Sequence, residues 1–369
     1  MNRDSIITGM LTMRDGYTIR EYRVGDEKEI NDLFNLVFKQ NRSLNEWYWQ
    51  FRDNPAGSAN LIAVAEVTGR IVGQHANVPV YFKFKDKIVK AGQPVDNLIH
   101  PSFRGGKSIK DTYKLSCYLY VREGMTFGFG FPNEIYYPVG KKLLKYEDLC
   151  PLPTMFKRLS WRLPFKKKFP MLPSYLQLGI QKLSMKFYRL PVILKGLSRR
   201  TLSLERLSFL GSDMDRLWEK AKDRYGIMAI RDYRFLKWRY LDKPDGPYDI
   251  LLAQDGNPLG YVVAKVTRKE EHLVGYIVDI LSIDKTVDNF LIGTTLNYFI
   301  SKKVDYSLCR ILREDEVYNI LLDYGFRENE AFPSTPVVYQ IFDNEVDCSF
   351  FKNLRNWHLT YGDQIDVSF

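Results

Sequence analysis

The chain has 369 residues, 45% of them hydrophobic and 14% aromatic, and a formal net charge of +10. That length points to two domains rather than one, and that apolar content supports packed cores and excludes a disordered chain. No run of about 18 uncharged apolar residues occurs, which excludes a membrane-spanning helix, and the four cysteines and four histidines are too scattered for a zinc site, so no metal is expected.

In chain order, the opening Met1-Asn2-Arg3-Asp4-Ser5 lacks the basic-then-apolar order of a signal peptide, and no Cys-x-x-Cys pair follows, so a reduced, cytoplasmic protein is expected. Residues 17–22 alternate like a short strand, and Asp26 sits where a helix N-cap would, ahead of Ile30, Leu33, Phe34, Val37 and Phe38 at helical spacing. A Trp49-containing motif comes next, then strands near 61–67, 71–84 and 87–99. The spacing predicts a helix from Ile109 with Tyr113, Cys117, Tyr120 and Val121 on its inner face and Gly124 as its stop. A strand over 127–131 and a helix over 139–146 complete the unit.

The excess charge is local. Residues 151–200 hold twelve Lys and Arg and no Asp or Glu, leaving 42 basic against 44 acidic residues elsewhere. Three readings stand for the 151–203 segment: a structural connector, an amphipathic stretch at the periphery of an anionic membrane, or a nucleic-acid contact. Near-neutral flanks argue against nucleic acid as the main partner.

Beyond that segment the first pattern returns. Trp49-Gln50-Phe51-Arg52-Asp53-Asn54-Pro55 matches Trp238-Arg239-Tyr240-Leu241-Asp242-Lys243-Pro244 in Trp, aromatic, Asp and Pro. Gly69 and Gly73 match Gly256 and Gly260, Val95-Asp96 matches Val278-Asp279, and Leu143 to Tyr146 matches Leu321 to Tyr324. The offset drifts from 189 to 183 to 178, as loops of unequal length would produce. The expected division is a domain over 1–150, the basic connector 151–203, a second domain over 204–345 and a tail over 346–369.

Candidate chemistry concentrates in Asp96-Asn97-Leu98-Ile99-His100-Pro101-Ser102-Phe103-Arg104-Gly105-Gly106-Lys107-Ser108. A strand that ends in a glycine turn before a helix presents unpaired N–H groups and the positive end of the helix dipole, which suits phosphate oxygens. Arg104 and Lys107 add charge. A P-loop would need a glycine where Pro101 stands.

The order His100-Pro101-Ser102-Phe103-Arg104-Gly105 after the expected fourth strand resembles the acyl-CoA pyrophosphate loop of the GNAT acyltransferase superfamily, with the glycines displaced. Residues 19–26 resemble that family's first strand and helix start, and Phe127 to Asn133 with Tyr136 and Tyr137 its fifth strand and last helix. In layout the chain also resembles tandem GNAT proteins of bacterial surface-polysaccharide loci. The resemblance implies an α/β (α+β) fold of two tandem GNAT-like domains, each a mixed, mainly antiparallel twisted sheet flanked by helices.

For function it implies an acyl-CoA-dependent N-acyltransferase using acetyl-CoA, or another acyl-CoA, on a small-molecule or lipid-linked amine such as an amino sugar of a surface polysaccharide. Arg104, Gly105, Gly106, Lys107 and Ser108 would then hold the pyrophosphate, the backbone of Leu98 and Ile99 the acyl carbonyl, and Asn133 the cofactor arm. Asp96 is the candidate general base, with His100 a further option. Tyr137, with Tyr136 as its neighbour, is the candidate acid toward the thiol. Each has a plain structural alternative: an acceptor within the fold for Asp96, a helix cap for Asn133, packing for the tyrosines. In the second copy, residues 283–289 offer neither Arg nor Gly. Two other functions remain open, a Fem-type aminoacyl transferase drawing on aminoacyl-tRNA and a non-catalytic GNAT-fold binding module.

Overall fold

The computed structural model describes residues 16–57, 60–104, 107–160, 202–207, 209–366 and 369. Along the chain, β1 (Thr18–Glu21) leads to α1 (Glu27–Phe38), α2 (Leu44–Phe51), β2 (Ile62–Val67), β3 (Arg70–Phe84), β4 (Lys87–Ile99), α3 (Ser108–Arg122), β5 (Met125–Gly130), α4 (Tyr136–Leu143) and β6 (Glu147–Leu152). Next come β7 (Thr154–Arg158), β8 (Ser203–Leu207), α5 (Asp213–Ala221), β9 (Ile227–Ala229), α6 (Tyr233–Leu236), β10 (Asp249–Gln254), β11 (Pro258–Lys269) and β12 (His272–Ser282). They are followed by α7 (Lys285–Ser301), β13 (Tyr306–Arg310), α8 (Glu316–Asp323), β14 (Arg327–Glu328), β15 (Thr335–Ile341) and α9 (Cys348–Lys352).

Local chemistry sets these boundaries. A capping box starts α2: Glu46 N donates to Ser43 Oγ at 3.2 Å and Ser43 N to Glu46 Oε2 at 2.7 Å. Gly124, at φ +70°, follows α3 in the left-handed conformation that ends helices. Asp26 does precede α1, yet its carboxylate accepts from the Arg20 guanidinium and from Arg23 N rather than capping the helix. The inner face of α3 also differs from expectation. Ser108, Thr112, Leu115, Ser116, Leu119 and Tyr120 are buried, while Val121 is 61% exposed. The buried stripe follows 108, 112, 115, 116, 119 and 120, one residue out of step with the expected 109, 113, 117, 120 and 121.

The elements form two compact units. The first holds the described residues up to Cys150 with Asp242–Asp245 and Pro336–Lys352. Its sheet runs β1-β2-β3-β4-β5-β15-β6; β4 and β5 are parallel, and the pairs β1-β2, β2-β3, β3-β4 and β5-β15 are antiparallel. The second unit holds the described residues of 151–241, 246–335 and 353–369. Its sheet runs β14-β7-β13-β12-β11-β10-β8, with β12 and β13 parallel and β10-β11, β11-β12 and β7-β13 antiparallel. In each unit one helix, α3 or α7, joins the two parallel strands. The fold is the expected α/β arrangement of two mixed sheets flanked by helices.

The chain divides less simply than 1–150, 151–203, 204–345 and 346–369. Strand β7, inside the basic stretch, belongs to the second sheet, whereas β15 belongs to the first. Residues 353–369, expected as a tail, belong to the second unit, where Trp357, Leu359, Tyr361 and Ile365 are buried. Of the twelve basic residues, Lys157 and Arg158 lie on β7 and the other ten, with residues 161–201, lie outside the described residues. Among the described residues no helix is long and apolar enough to cross a membrane.

The second unit is organised about one carboxylate. Asp279 on β12 is wholly buried and accepts from Arg231 Nε at 3.1 Å, Tyr240 Oη at 3.0 Å, Tyr261 Oη at 2.9 Å and Thr360 Oγ1 at 3.0 Å. Removing one partner of a buried ion pair leaves the other charge desolvated and uncompensated. Replacing Arg231 by Met is therefore expected to cost about 3–5 kcal/mol of unfolding free energy, read from denaturant melts; a loss below about 1 kcal/mol would contradict this account of the core.

Candidate active site

The site grows out of the central hairpin of the first unit. β3 and β4 pair from Phe84 opposite Lys87 to Gly73 opposite Ile99, with a register break between Gln74 and Ala76. Asp96 stands at that break with φ +51°, a left-handed geometry that Asp tolerates better than most residues. The side chain of Asn97 braces it, Oδ1 accepting from Ala76 N at 3.1 Å. On its other edge β4 pairs with β5 only from Lys90 opposite Met125 to Gly92 opposite Gly128. Beyond Gly92 the two parallel strands part, leaving the last turns of β4 unpaired with β5 at their carboxyl ends. That is where ligands enter open α/β sheets.

The expected residues fall into place around this parting. Leu98 and Ile99 end β4, 4% and 8% exposed. His100 is a strand-end residue: its N–H donates to Val72 O at 2.7 Å, and its Nδ1 accepts from Ser102 N at 3.2 Å. Arg104 folds back so that Nε donates to Ile99 O at 3.3 Å. Gly105 and Gly106 lie outside the described residues. Lys107 occupies the N-cap position of α3 with an exposed side chain, and Ser108 is the buried first residue of that helix. Arg104 and Lys107 thus flank a helix N-terminus, at the end of the strand whose backbone faces the parting.

Three residues behave differently from the first expectation. Asn133 uses its side chain as a cap, Oδ1 accepting from Ile135 N at 3.1 Å and from Tyr136 N at 2.8 Å. Tyr137 turns away, its hydroxyl donating to Asp148 Oδ1 at 2.9 Å, and that bond raises its pKa. Tyr136 is the tyrosine beside Asn97 and Tyr146, with a buried hydroxyl that makes no hydrogen bond of normal geometry. Burial pushes its pKa up, so the phenol stays protonated.

Asp96 carries an unexpected partner. Arg42 donates to its carboxylate, and both side chains are nearly buried, 7% and 6% exposed. Arg42 is fixed in turn by Nε donating to Asn31 Oδ1 at 2.7 Å. The pair recurs as Arg231 and Asp279 in the second unit, both fully buried. A carboxylate already committed to a guanidinium serves the fold, the structural alternative for Asp96. The signal was present in the sequence: Arg42 precedes Trp49 by seven residues, as Arg231 precedes Trp238.

The corresponding helix start in the second unit is chemically opposite. Asp284 caps α7 by accepting from Val287 N at 2.9 Å. One turn on, Asp288 is buried and accepts from Ser282 Oγ at 2.6 Å and Arg224 Nη2 at 2.9 Å. Asp284 already satisfies one of the helix donors, and the two carboxylates together repel a phosphate.

Residues 18–142 match a family model described as an acetyltransferase (GNAT) domain. No curated protein sequence matches the chain. Among solved structures it is similar to a protein of Enterococcus faecalis described as a probable N-acyltransferase, at 11% identity over 88% of this chain and 73% of that one, with a TM-score of 0.65. A GCN5-related N-acetyltransferase from Anabaena variabilis is similar at 11% identity over 89% of this chain and 73% of that one, TM-score 0.63. So is the Saccharomyces cerevisiae N-myristoyltransferase with bound myristoyl-CoA, at 13% identity over 89% of this chain and 80% of that one, TM-score 0.57. At such identities the likeness is one of fold.

Behind the parting, between α3 and the sheet, lies a small cavity of about 10 Å³, lined by His75, Tyr113, Cys117, Tyr146 and Gln340 among others. His75 is 1% exposed, packs against the Tyr113 ring at 5.4 Å, and has both ring nitrogens buried without partners among the described residues. Burial lowers its pKa from 6.5 to about 3. Below pH 6.5 the unfolded chain therefore binds a proton that the folded one refuses, so stability is fully present above that pH. Between pH 6.5 and about 3 this group should remove about 1.4 kcal/mol per pH unit. In denaturant melts across that range His75→Phe should show a flatter decline than wild type; equal slopes would contradict neutral burial of the ring.

Proposed function

We propose that the chain is an acyl-CoA-dependent N-acyltransferase acting on an amine, with its donor cleft in the first unit. The observation that carries this reading is the parting of β4 from β5 beyond Gly92 beside a helix N-terminus flanked by Arg104 and Lys107. A thioester arm lying along the free edge of β4 can use the backbone at Leu98 and Ile99, and its pyrophosphate can reach the start of α3 at Ser108, between Arg104 and Lys107. Acetyl-CoA is the donor we assign, in line with the family match over residues 18–142. An amino sugar is the acceptor class to which the family resemblance points.

The chemistry is one acyl transfer. The amine nitrogen attacks the thioester carbonyl, the C–N bond forms, and the carbonyl oxygen takes up negative charge against backbone N–H groups at the end of β4. Collapse breaks the C–S bond, and the departing thiolate takes a proton from Tyr136, which we place in the role first considered for Tyr137 and which regains a proton from solvent. The amine proton leaves to solvent. Asp96 holds Arg42 and shapes the strand instead of taking that proton.

Titration of acetyl-CoA into the wild type should give micromolar binding, weakened tenfold or more, about 1.4 kcal/mol, by Arg104→Ala with Lys107→Ala. Absence of binding to the wild type would sink the acyl-CoA reading. With an amine substrate in hand, Tyr136→Phe should lower kcat by about a hundredfold and Tyr137→Phe by less than about threefold; the reverse order would return the acid role to Tyr137.

A further inference from the structure

The two Arg–Asp pairs are surrounded differently, and the difference carries information about a ligand. In the second unit Arg231 Nη2 donates to Asp363 Oδ2 at 2.8 Å, and Thr360 Oγ1 donates to Asp279 Oδ1 at 3.0 Å. The Arg239 guanidinium donates to Gly362 O at 3.0 Å and Gln364 O at 2.7 Å. Residues 360–364 therefore lie on the pair as a bound peptide does, carboxylate on the arginine and carbonyls on a second cationic side chain. The fit is close: a Cβ on Gly362 would stand 2.3 Å from Tyr240 Oη and 3.0 Å from Asp279 Cγ.

The offset of 189 that relates Trp49 to Trp238 also relates Arg42 to Arg231 and Gln50 to Arg239. In the first unit these two residues are buried. Arg42 uses Nε on Asn31 and Nη1 on Asp96, but Arg42 Nη2 and Gln50 Nε2 are buried without a hydrogen-bond partner among the described residues. Gln74 adds an acceptor: its Nε2 donates to Asp96 O at 2.9 Å, while its buried Oε1 likewise has no partner among them. Buried polar groups left unpaired cost about 1–3 kcal/mol each. Two donors at positions whose counterparts hold a carboxylate and two carbonyls are the complement of an anionic ligand.

We propose that this corner of the first unit binds the carboxylate of the amine acceptor. Arg42 Nη2 takes the carboxylate, Gln50 Nε2 takes a further oxygen of the same molecule, and Gln74 Oε1 receives an N–H. Asp96 directly precedes Asn97, Leu98 and Ile99, so a ligand held there stands beside the acyl position. The acceptor class is thus a primary amine that also carries a carboxylate, in place of the neutral amino sugar to which the family resemblance points. The inference rests on the transferase reading above and deepens it.

The test gives the full chain acetyl-CoA with amines offered in pairs, each amino acid of the common set beside its carboxamide, and follows release of the CoA thiol. The expected result is turnover of at least one pair with kcat/KM favouring the free carboxylate tenfold or more. That ratio should fall toward one in Arg42→Lys, which keeps a cation opposite Asp96 but loses the forked donor, and in Gln50→Glu, which sets a like charge beside the ligand. Melting temperatures near that of the wild type verify that both variants fold. Equal rates within every pair, or acetyl-CoA binding with no turnover of any carboxylated amine, would overturn the inference while leaving the donor site intact. Succinyl-CoA preferred over acetyl-CoA with the carboxamides would move the carboxylate to the donor and overturn the assignment to the acceptor. Failure of acetyl-CoA to bind, seen separately by titration, would remove the transferase reading itself.

Discussion

A guanidinium held against a carboxylate inside the sheet is the constraint on which both units depend. Arg42 meets Asp96 on β4 in the first, and Arg231 meets Asp279 on β12 in the second. Neither charge is stable alone in a dry interior, so each position is tolerable only with its partner in place. The consequence is geometric. An arginine arriving from the helical segment after the first strand pins a central strand beside a register break, and that strand then continues toward the helix α3 or α7. Whatever the free edge of the strand presents to a ligand is fixed by the pair.

Parting of parallel strands gives the first unit a place to work. β4 loses β5 after Gly92, and β12 loses β13 after Ile277, so both sheets open at the same end. What fills the opening differs. The second unit fills it with its own chain: Thr360 bridges to Ile311, and His358 Nε2 lies 2.9 Å from Ile280 O. Asp284 and Asp288 occupy the helix start that would otherwise favour an anion. In the first unit, basic residues stand at the corresponding helix start. The charge pattern, more than the fold, separates the two copies.

Much of this was legible in the sequence, because the signals were local or repeated. Strands β1 to β4 lie within a residue or so of their expected bounds, β5 begins two residues early, Gly124 ends α3, and the Trp49 and Trp238 motifs fall one in each unit. The exchange of β7 and β15 between the sheets was not legible, since a five- or seven-residue apolar strand carries no mark of the edge it will join. The choice between Tyr136 and Tyr137 depended on the start of α4, since neighbours on a helix point about 100° apart. The partner of Asp96 lies 54 residues away in a segment read only for helical spacing. The seven-residue step from Arg to Trp in both copies was the clue to it.

The two carboxylates also show how one scaffold divides between stability and function. Around Asp279 the sequence supplies Tyr240, Tyr261 and Thr360, so its oxygens are saturated and the centre is inert. At the positions matching Tyr240 and Tyr261 the first unit has Phe51 and Gln74, which remove two hydroxyl donors. An amide whose oxygen is unpaired among the described residues stands in place of one of them. Each saturating bond of this kind contributes about 1 kcal/mol, which the first unit forgoes. A centre with two fewer hydroxyl donors and an unpaired amide oxygen is the pattern of a site whose last hydrogen bonds are made by something it binds.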